Sequence, residues 1–210
     1  VQIIYNHDKI EFLHNGNHFT EKDIRGLINQ ISSKEVDEGE VSTRTGRFGT
    51  GFLTTHLLSK EVYISGRLTN NQGCFHFLLN RNATDNDHFY RLQRESNKCF
   101  DDSIRVLSYL GEDEFQTKFT YNLNEKGKDT AKIGLHCLDE LIPITQLFNE
   151  QIESVIVIEN GKTKTFSKSL IQAHESCSIN EWGITTLING NIDTSLKAYV
   201  QIDGQFDACI

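Results

Sequence analysis

The periodicity of apolar positions changes several times along the chain. Residues 1–5 and 9–13 are short β-like runs parted by the polar turn Asn6-His7-Asp8, which predicts a hairpin. Thr20 then stands as an N-cap with Asp23 three residues on. Ile24, Leu27, Ile28 and Ile31 follow at helical spacing, predicting a helix over 21–31. Residues 32–44 are polar and loop-like. Gly46, Gly49 and Gly51 come next, directly before the apolar Phe52, Leu53, Leu57 and Leu58, a loop feeding a helix. Residues 61–68 and 74–79 alternate as two strands about Asn70-Asn71-Gln72-Gly73, whereas 80–102 is too polar for an assignment. A strand over 115–123 and a helix over 129–148, interrupted near Pro143, follow. Residues 155–158 and 164–166 flank Asn160-Gly161, a strong hairpin signal, and 184–188, 196–202 and 206–210 read as further antiparallel strands.

This order predicts an α+β fold, a mixed, mostly antiparallel sheet with helices on one face, plus a smaller C-terminal β-rich segment. A Rossmann unit is excluded because regular β-α-β alternation and a ribose-binding acid are missing. No Gly-Lys-Ser/Thr follows the glycines, so this is not a Walker loop. The 210 residues suit one large domain, or one domain with a smaller companion.

Charge and cysteine usage narrow the partners. With 29 acids against 21 bases the chain carries a net charge of −8, which favours neither nucleic acid nor an anionic membrane. No apolar run approaches the roughly 20 residues of a membrane span, and a cytoplasmic protein is expected. The five cysteines are odd in number and never form Cys-x-x-Cys, which fits reduced, packed thiols. The eight histidines form no zinc signature. There is no methionine and only one proline, as expected of a piece of a longer protein.

The candidate chemistry centres on the glycines. Glycine lets the backbone approach an anion closely, and the N-terminus of a following helix supplies N–H donors and partial positive charge. A flexible loop feeding a helix would use the same glycines. The loop 32–44 lies where it can fold over whatever they hold, as a lid or as a solvated connector.

With His14-Asn15-Gly16-Asn17-His18-Phe19 before a capped helix, and Gly46-Arg47-Phe48-Gly49-Thr50-Gly51-Phe52 after a lid-like loop, the chain resembles the GHKL superfamily of ATP-binding domains. This Bergerat fold, a two-layer α/β sandwich, is shared by gyrase-type topoisomerases, ninety-kilodalton heat-shock chaperones, histidine kinases and MutL mismatch-repair proteins. The second motif is most similar to the chaperone branch and to sacsin-like proteins. The resemblance covers residues 1–123 and implies an ATP-binding domain over 1–138. Residues 139–210 would then form a linker helix and the start of a coupling, transducer-like α+β domain.

The family's Asp-x-Gly-x-Gly maps onto His14 to His18. There the Asp reads the adenine amino group and the first glycine, here Gly16, lets the base lie against the backbone. His14 replaces that Asp, and His18 replaces the second glycine. A neutral imidazole offers one acceptor nitrogen where a carboxylate offers two oxygens. His14 and His18 also fit simple turn and cap roles.

The second motif implies that backbone N–H groups of Phe48, Gly49, Thr50, Gly51 and Phe52 hold the β- and γ-phosphates, with Phe48 and Phe52 as packing anchors and Arg47 within reach. Thr117 corresponds to a strand threonine that touches adenine in the chaperone branch. The family's helix bearing Glu-x-x-x-Asn, which supplies the Mg²⁺ ligand and a catalytic Glu, would lie ahead of Val1. The only Glu before His14 is Glu11, in a strand. No catalytic base or metal ligand is therefore identified, and ATPase activity stays open. The expected cofactors are ATP with Mg²⁺, and the expected partners are a client protein and a second copy bound through other regions. A nucleotide-free interaction module on the same fold is the alternative.

Overall fold

The computed structural model describes residues 1–29, 51–69, 73–105, 117–174, 179–201 and 208–209. Among them the chain runs β1 (Gln2–Asn6), β2 (Lys9–His14), α1 (Glu21–Asn29), a 3₁₀ helix (Gly51–Leu57), β3 (Glu61–Arg67) and β4 (Cys74–Asn80). It continues through α2 (Asn86–Ser103), β5 (Thr117–Asn122), α3 (Glu125–Phe148) and β6 (Ser154–Glu159). Last come β7 (Lys162–His174), β8 (Ile179–Ile188), β9 (Asn191–Gln201) and β10 (Ala208–Cys209). The fold is mixed α+β with mostly antiparallel strands, as the order of elements predicts. Two compact units form, Asp8–Thr130, and Val1–His7 with Ala131–Ile210. No helix among the described residues is long and apolar enough to cross a membrane.

In the first unit the strands lie in the order β2-β5-β3-β4, all antiparallel. Alternation selects the buried face. Val62 and Ile64 of β3 lie opposite Tyr121 and Phe119 of β5, and Ile64 lies opposite Phe77 of β4; all five are buried. Phe100 of α2 meets Phe75 and Phe77 edge-on and completes this core.

The helix α2 occupies the polar stretch that resists assignment from sequence. Its buried stripe runs Leu92, Ser96, Phe100, so a serine interrupts the apolar spacing. Its start is nevertheless well marked: the Asp85 carboxylate accepts the His88 N–H at 2.8 Å.

The helix α1 begins as predicted. Asp23 N–H donates to Thr20 Oγ1, and the Asp23 carboxylate accepts the Thr20 N–H, a reciprocal capping box. At its other end the Arg81 guanidinium donates to the carbonyls of Leu27 and Ile28. Such bonds satisfy acceptors that a helix C-terminus leaves unpaired. The expected continuation to Ile31 falls outside the described residues.

The second unit has the order β10-β9-β8-β7-β6-β1. The β1 strand pairs with β6 in parallel, which draws the first residues of the chain into this unit, while the other pairs are antiparallel. Asn160-Gly161 makes the predicted tight turn with φ of 48° and 80°, and Asn189-Gly190 makes a second with 48° and 83°. Both residues at positive φ is the type I′ geometry that matches strand twist.

The helix α3 packs Leu138 and Ile142 against Val155, Val157 and Phe166. It starts at Glu125, ahead of the expected 129, because Asn124 Oδ1 accepts the Gly127 N–H at 2.8 Å and sets the first turn. It also runs unbroken through Pro143, where an interruption is expected from sequence. Proline removes one helical hydrogen bond, but side-chain bonds just beyond it hold the helix down. Gln146 Nε2 donates to the carbonyls of Glu153 and Phe166 at 3.0 and 3.2 Å, and Lys168 Nζ closes the end on the carbonyls of Gln146 and Asn149.

Candidate functional site

The first glycine motif begins where β2 ends. His14 is the last residue of that strand and lies in register with Thr117, the first residue of β5. Because the two are directly paired, both side chains are on the core face of the sheet. Phe12 lies likewise opposite Phe119. The backbone then leaves the sheet: Asn15 and Gly16 are exposed, and Gly16 N–H turns back to donate to His14 Nδ1 at 3.3 Å. Phe19 is anchored by a parallel bridge to Leu68 and by its carbonyl, which accepts the Thr69 N–H at 2.9 Å.

The second motif enters from elsewhere in the sequence. Gly46, Arg47, Phe48, Gly49 and Thr50, with the loop 32–44, lie outside the described residues, so the description starts at Gly51 and Phe52. These open a 3₁₀ helix rather than the expected α-helix. Thr55 Oγ1 donates to the Phe52 carbonyl at 2.7 Å, and Thr55 also hydrogen-bonds the Tyr121 hydroxyl, which fixes this turn on β5. Leu58, just after it, abuts the first turn of α3: a Cβ at Gly127 would lie 2.2 Å from the Leu58 carbonyl oxygen.

The rings of both motifs converge on Phe119. His14 stacks on it with centroids 6.4 Å apart and planes 24° apart, Phe19 meets it edge-on at 6.3 Å, and Phe52 lies at 5.8 Å. Phe119 itself is only 5% exposed, whereas His14, Phe19 and Phe52 are half-buried. Partly exposed aromatic rings suit contact with a planar ligand. Thr117 is 1% exposed, and its Oγ1 has no hydrogen-bond partner among the described residues. A buried hydroxyl left unpaired costs about 1–3 kcal/mol, so an incoming polar ligand atom would relieve it.

The electrostatics assign roles to the two histidines. Burial lowers the His14 pKa below its ordinary value, so the neutral ring predominates at pH 7. Its Nδ1 is already the acceptor for Gly16 N–H, so the neutral ring carries its proton on Nε2. The remaining nitrogen is a donor. His14 Nε2 would then present a hydrogen where a carboxylate presents acceptor oxygens. It can instead donate to a ring nitrogen or an oxo group.

Sequence reading overlooks His56 and Arg81. His56 packs edge-on against Phe52 at 5.6 Å, and its Nε2 is buried without a partner among the described residues. Burial and then the Arg81 charge lower its pKa. Burial also lowers Arg81 to about 10, which leaves it charged at pH 7. Neither belongs to a motif; His56 lies in the turn after the glycines and Arg81 just beyond β4.

Glu11 occupies the other face of β2. Lys9 and Lys118 hold its carboxylate at 3.2 and 3.0 Å. Burial raises its pKa, but these two hydrogen bonds outweigh that and the net shift is downward. It is a structural ion-pair centre remote from His14. Among the described residues no group of three or more His, Cys, Asp or Glu is arranged to hold a metal ion.

No protein-family model matches the chain, and no curated protein matches it.

Proposed function

We propose that the chain is an ATP-binding domain of the GHKL type, with a Bergerat arrangement of sheet and helices. The observation that carries this reading is convergence. His14, Phe19, Phe52 and Thr117 come from three separate stretches that the resemblance assigns to one nucleotide; the first three surround a single ring, Phe119, and Thr117 lies in register with His14. The adenine would lie against the partly exposed rings, with its polar edge at the Thr117 hydroxyl and His14 Nε2–H. Backbone N–H groups of residues 48–52 would hold the phosphates, as the glycine spacing suggests. Mg²⁺ would arrive bound to the phosphate oxygens, as that ion commonly does, and no described residue is assigned to it.

Nucleotide binding is the proposed activity. Glu11 is engaged by two lysines on the opposite face of β2, and no described residue is assigned as general base. Closure of 32–44 over the nucleotide would alter contacts with an adjacent domain and so with a client protein. One observation favours the second reading, a protein-interaction module without nucleotide: the donor tautomer of His14.

A thermal-shift titration with Mg-ATP on wild type and Thr117→Val separates the two. The Thr117 hydroxyl has no partner to lose, so the ligand-free variant should melt at or above the wild-type temperature. Its ATP-induced shift should shrink. Absence of any ATP-induced shift in wild type rejects the nucleotide reading.

A further inference from the structure

The helix α3 has two apolar faces, and the strands of its own unit cover one. Leu138, Ile142 and Leu147 pack into that core. On the opposite side Ile133, Leu141, Ile144 and Phe148 are 70, 53, 40 and 64% exposed, and Cys137 between them is exposed too. Steps of three and four residues keep all five on one stripe of the helix. Taking roughly 200 Å² for a fully exposed large apolar side chain, the stripe leaves on the order of 450 Å² of apolar surface open. That is the size of the largest patch on a typical monomer, where such a patch often marks an interaction site.

We infer that a second copy of this chain docks here, α3 against α3 in antiparallel orientation, about a two-fold axis near Leu141. The stripe reads nearly the same from either end. In an antiparallel pair Ile133 comes opposite Phe148 of the other copy, Cys137 comes opposite Ile144, and the two Leu141 side chains meet near the axis. A two-fold interface needs a surface complementary to itself, and this spacing supplies one. The area agrees. Two stripes bring together about 900 Å² of apolar surface, and apolar atoms make up about 57% of an ordinary interface. The total is then roughly 1,600 Å², the standard size of a stable, specific association. Exposed polar residues on both flanks, Lys132, His136, Glu140 and Thr145, form the rim. This inference is independent of the nucleotide reading.

Sedimentation velocity of the full chain over a wide concentration range tests it. Wild type should dimerise reversibly, and Leu141→Glu and Ile133→Glu should each raise the dissociation constant ~100-fold, because each places paired charges in a desolvated contact. Both positions are exposed, so the circular dichroism melt of the variants should stay close to wild type. In a background with all five cysteines changed to serine, Leu141→Cys should form a disulfide-linked dimer under mild oxidation, and Lys132→Cys on the flank should not. The inference is overturned if wild type stays monomeric, if the glutamate variants dimerise as well as wild type, or if Lys132→Cys crosslinks as readily as Leu141→Cys.

Discussion

His14→Asp reverses the polarity of the atom that the proposed site would present to adenine and leaves the surrounding rings in place. In the native chain Nδ1 accepts the Gly16 N–H, so Nε2 presents a hydrogen. A carboxylate at the same position presents acceptor oxygens, which can take the amino hydrogen at C6 of adenine. A hydrogen bond to a charged group contributes about 1.5–3 kcal/mol, and the half-buried position adds a desolvation cost that pulls the gain toward the lower end. A gain of about 1–2 kcal/mol corresponds to ~5–30-fold tighter ATP binding. Inosine triphosphate differs at the same edge by an oxo group that accepts, and its affinity should fall by a similar factor. Calorimetric titration of both nucleotides into wild type and variant reads the change directly. The ratio of the two affinities should move toward ATP by more than either alone. If ATP binding is unchanged or weaker in a folded variant while inosine triphosphate gains, the donor assignment of His14 is wrong.

Gly127→Ala forces a Cβ to within 2.2 Å of the Leu58 carbonyl oxygen. It should cost about 1–3 kcal/mol in denaturant unfolding and weaken ATP binding through the displaced 3₁₀ helix. Gln146→Leu strips donors from the carbonyls of Glu153 and Phe166 and should lower the urea midpoint by an amount equivalent to about 1–3 kcal/mol, with the slope unchanged. Burial holds the pKa of both His14 and His56 below the ordinary value of 6.5. As pH falls through that value the unfolded chain takes up these protons first, so stability is full above it and declines below it until the folded-state values are passed. Melting temperatures measured against pH should show this loss, and His14→Gln should reduce it; a flat profile in wild type contradicts the assignment.

Local signals in the sequence were readable wherever one short-range interaction decides the structure. Thr20 and Asp23 start α1 by reciprocal bonds between residues three apart, and Asn160-Gly161 makes its turn through backbone preference alone. The helix α2 was not readable, because Ser96 occupies a core position that tertiary packing, not hydrophobicity, fills. Pro143 misled for the converse reason: its local penalty is outweighed by the contacts of Gln146 and Lys168. Within the proposed site, the contacts of His14, Phe19 and Phe52 with Phe119 and the pairing of Thr117 with His14 join residues that the resemblance names. Phe119 as the shared centre of the three rings depends on register between β2 and β5, and the His14 tautomer depends on the Gly16 N–H, neither of which a residue pattern encodes.

The central claim is that the glycine stretch and the ring cluster form one nucleotide site. Calorimetric titration of Mg-ATP into the wild-type chain and into Gly49→Val tests it most directly. The account predicts a single saturable site in wild type that is lost in the variant, because a valine side chain would obstruct the close approach of backbone to phosphate. No heat from either protein, or equal binding by both, would contradict it.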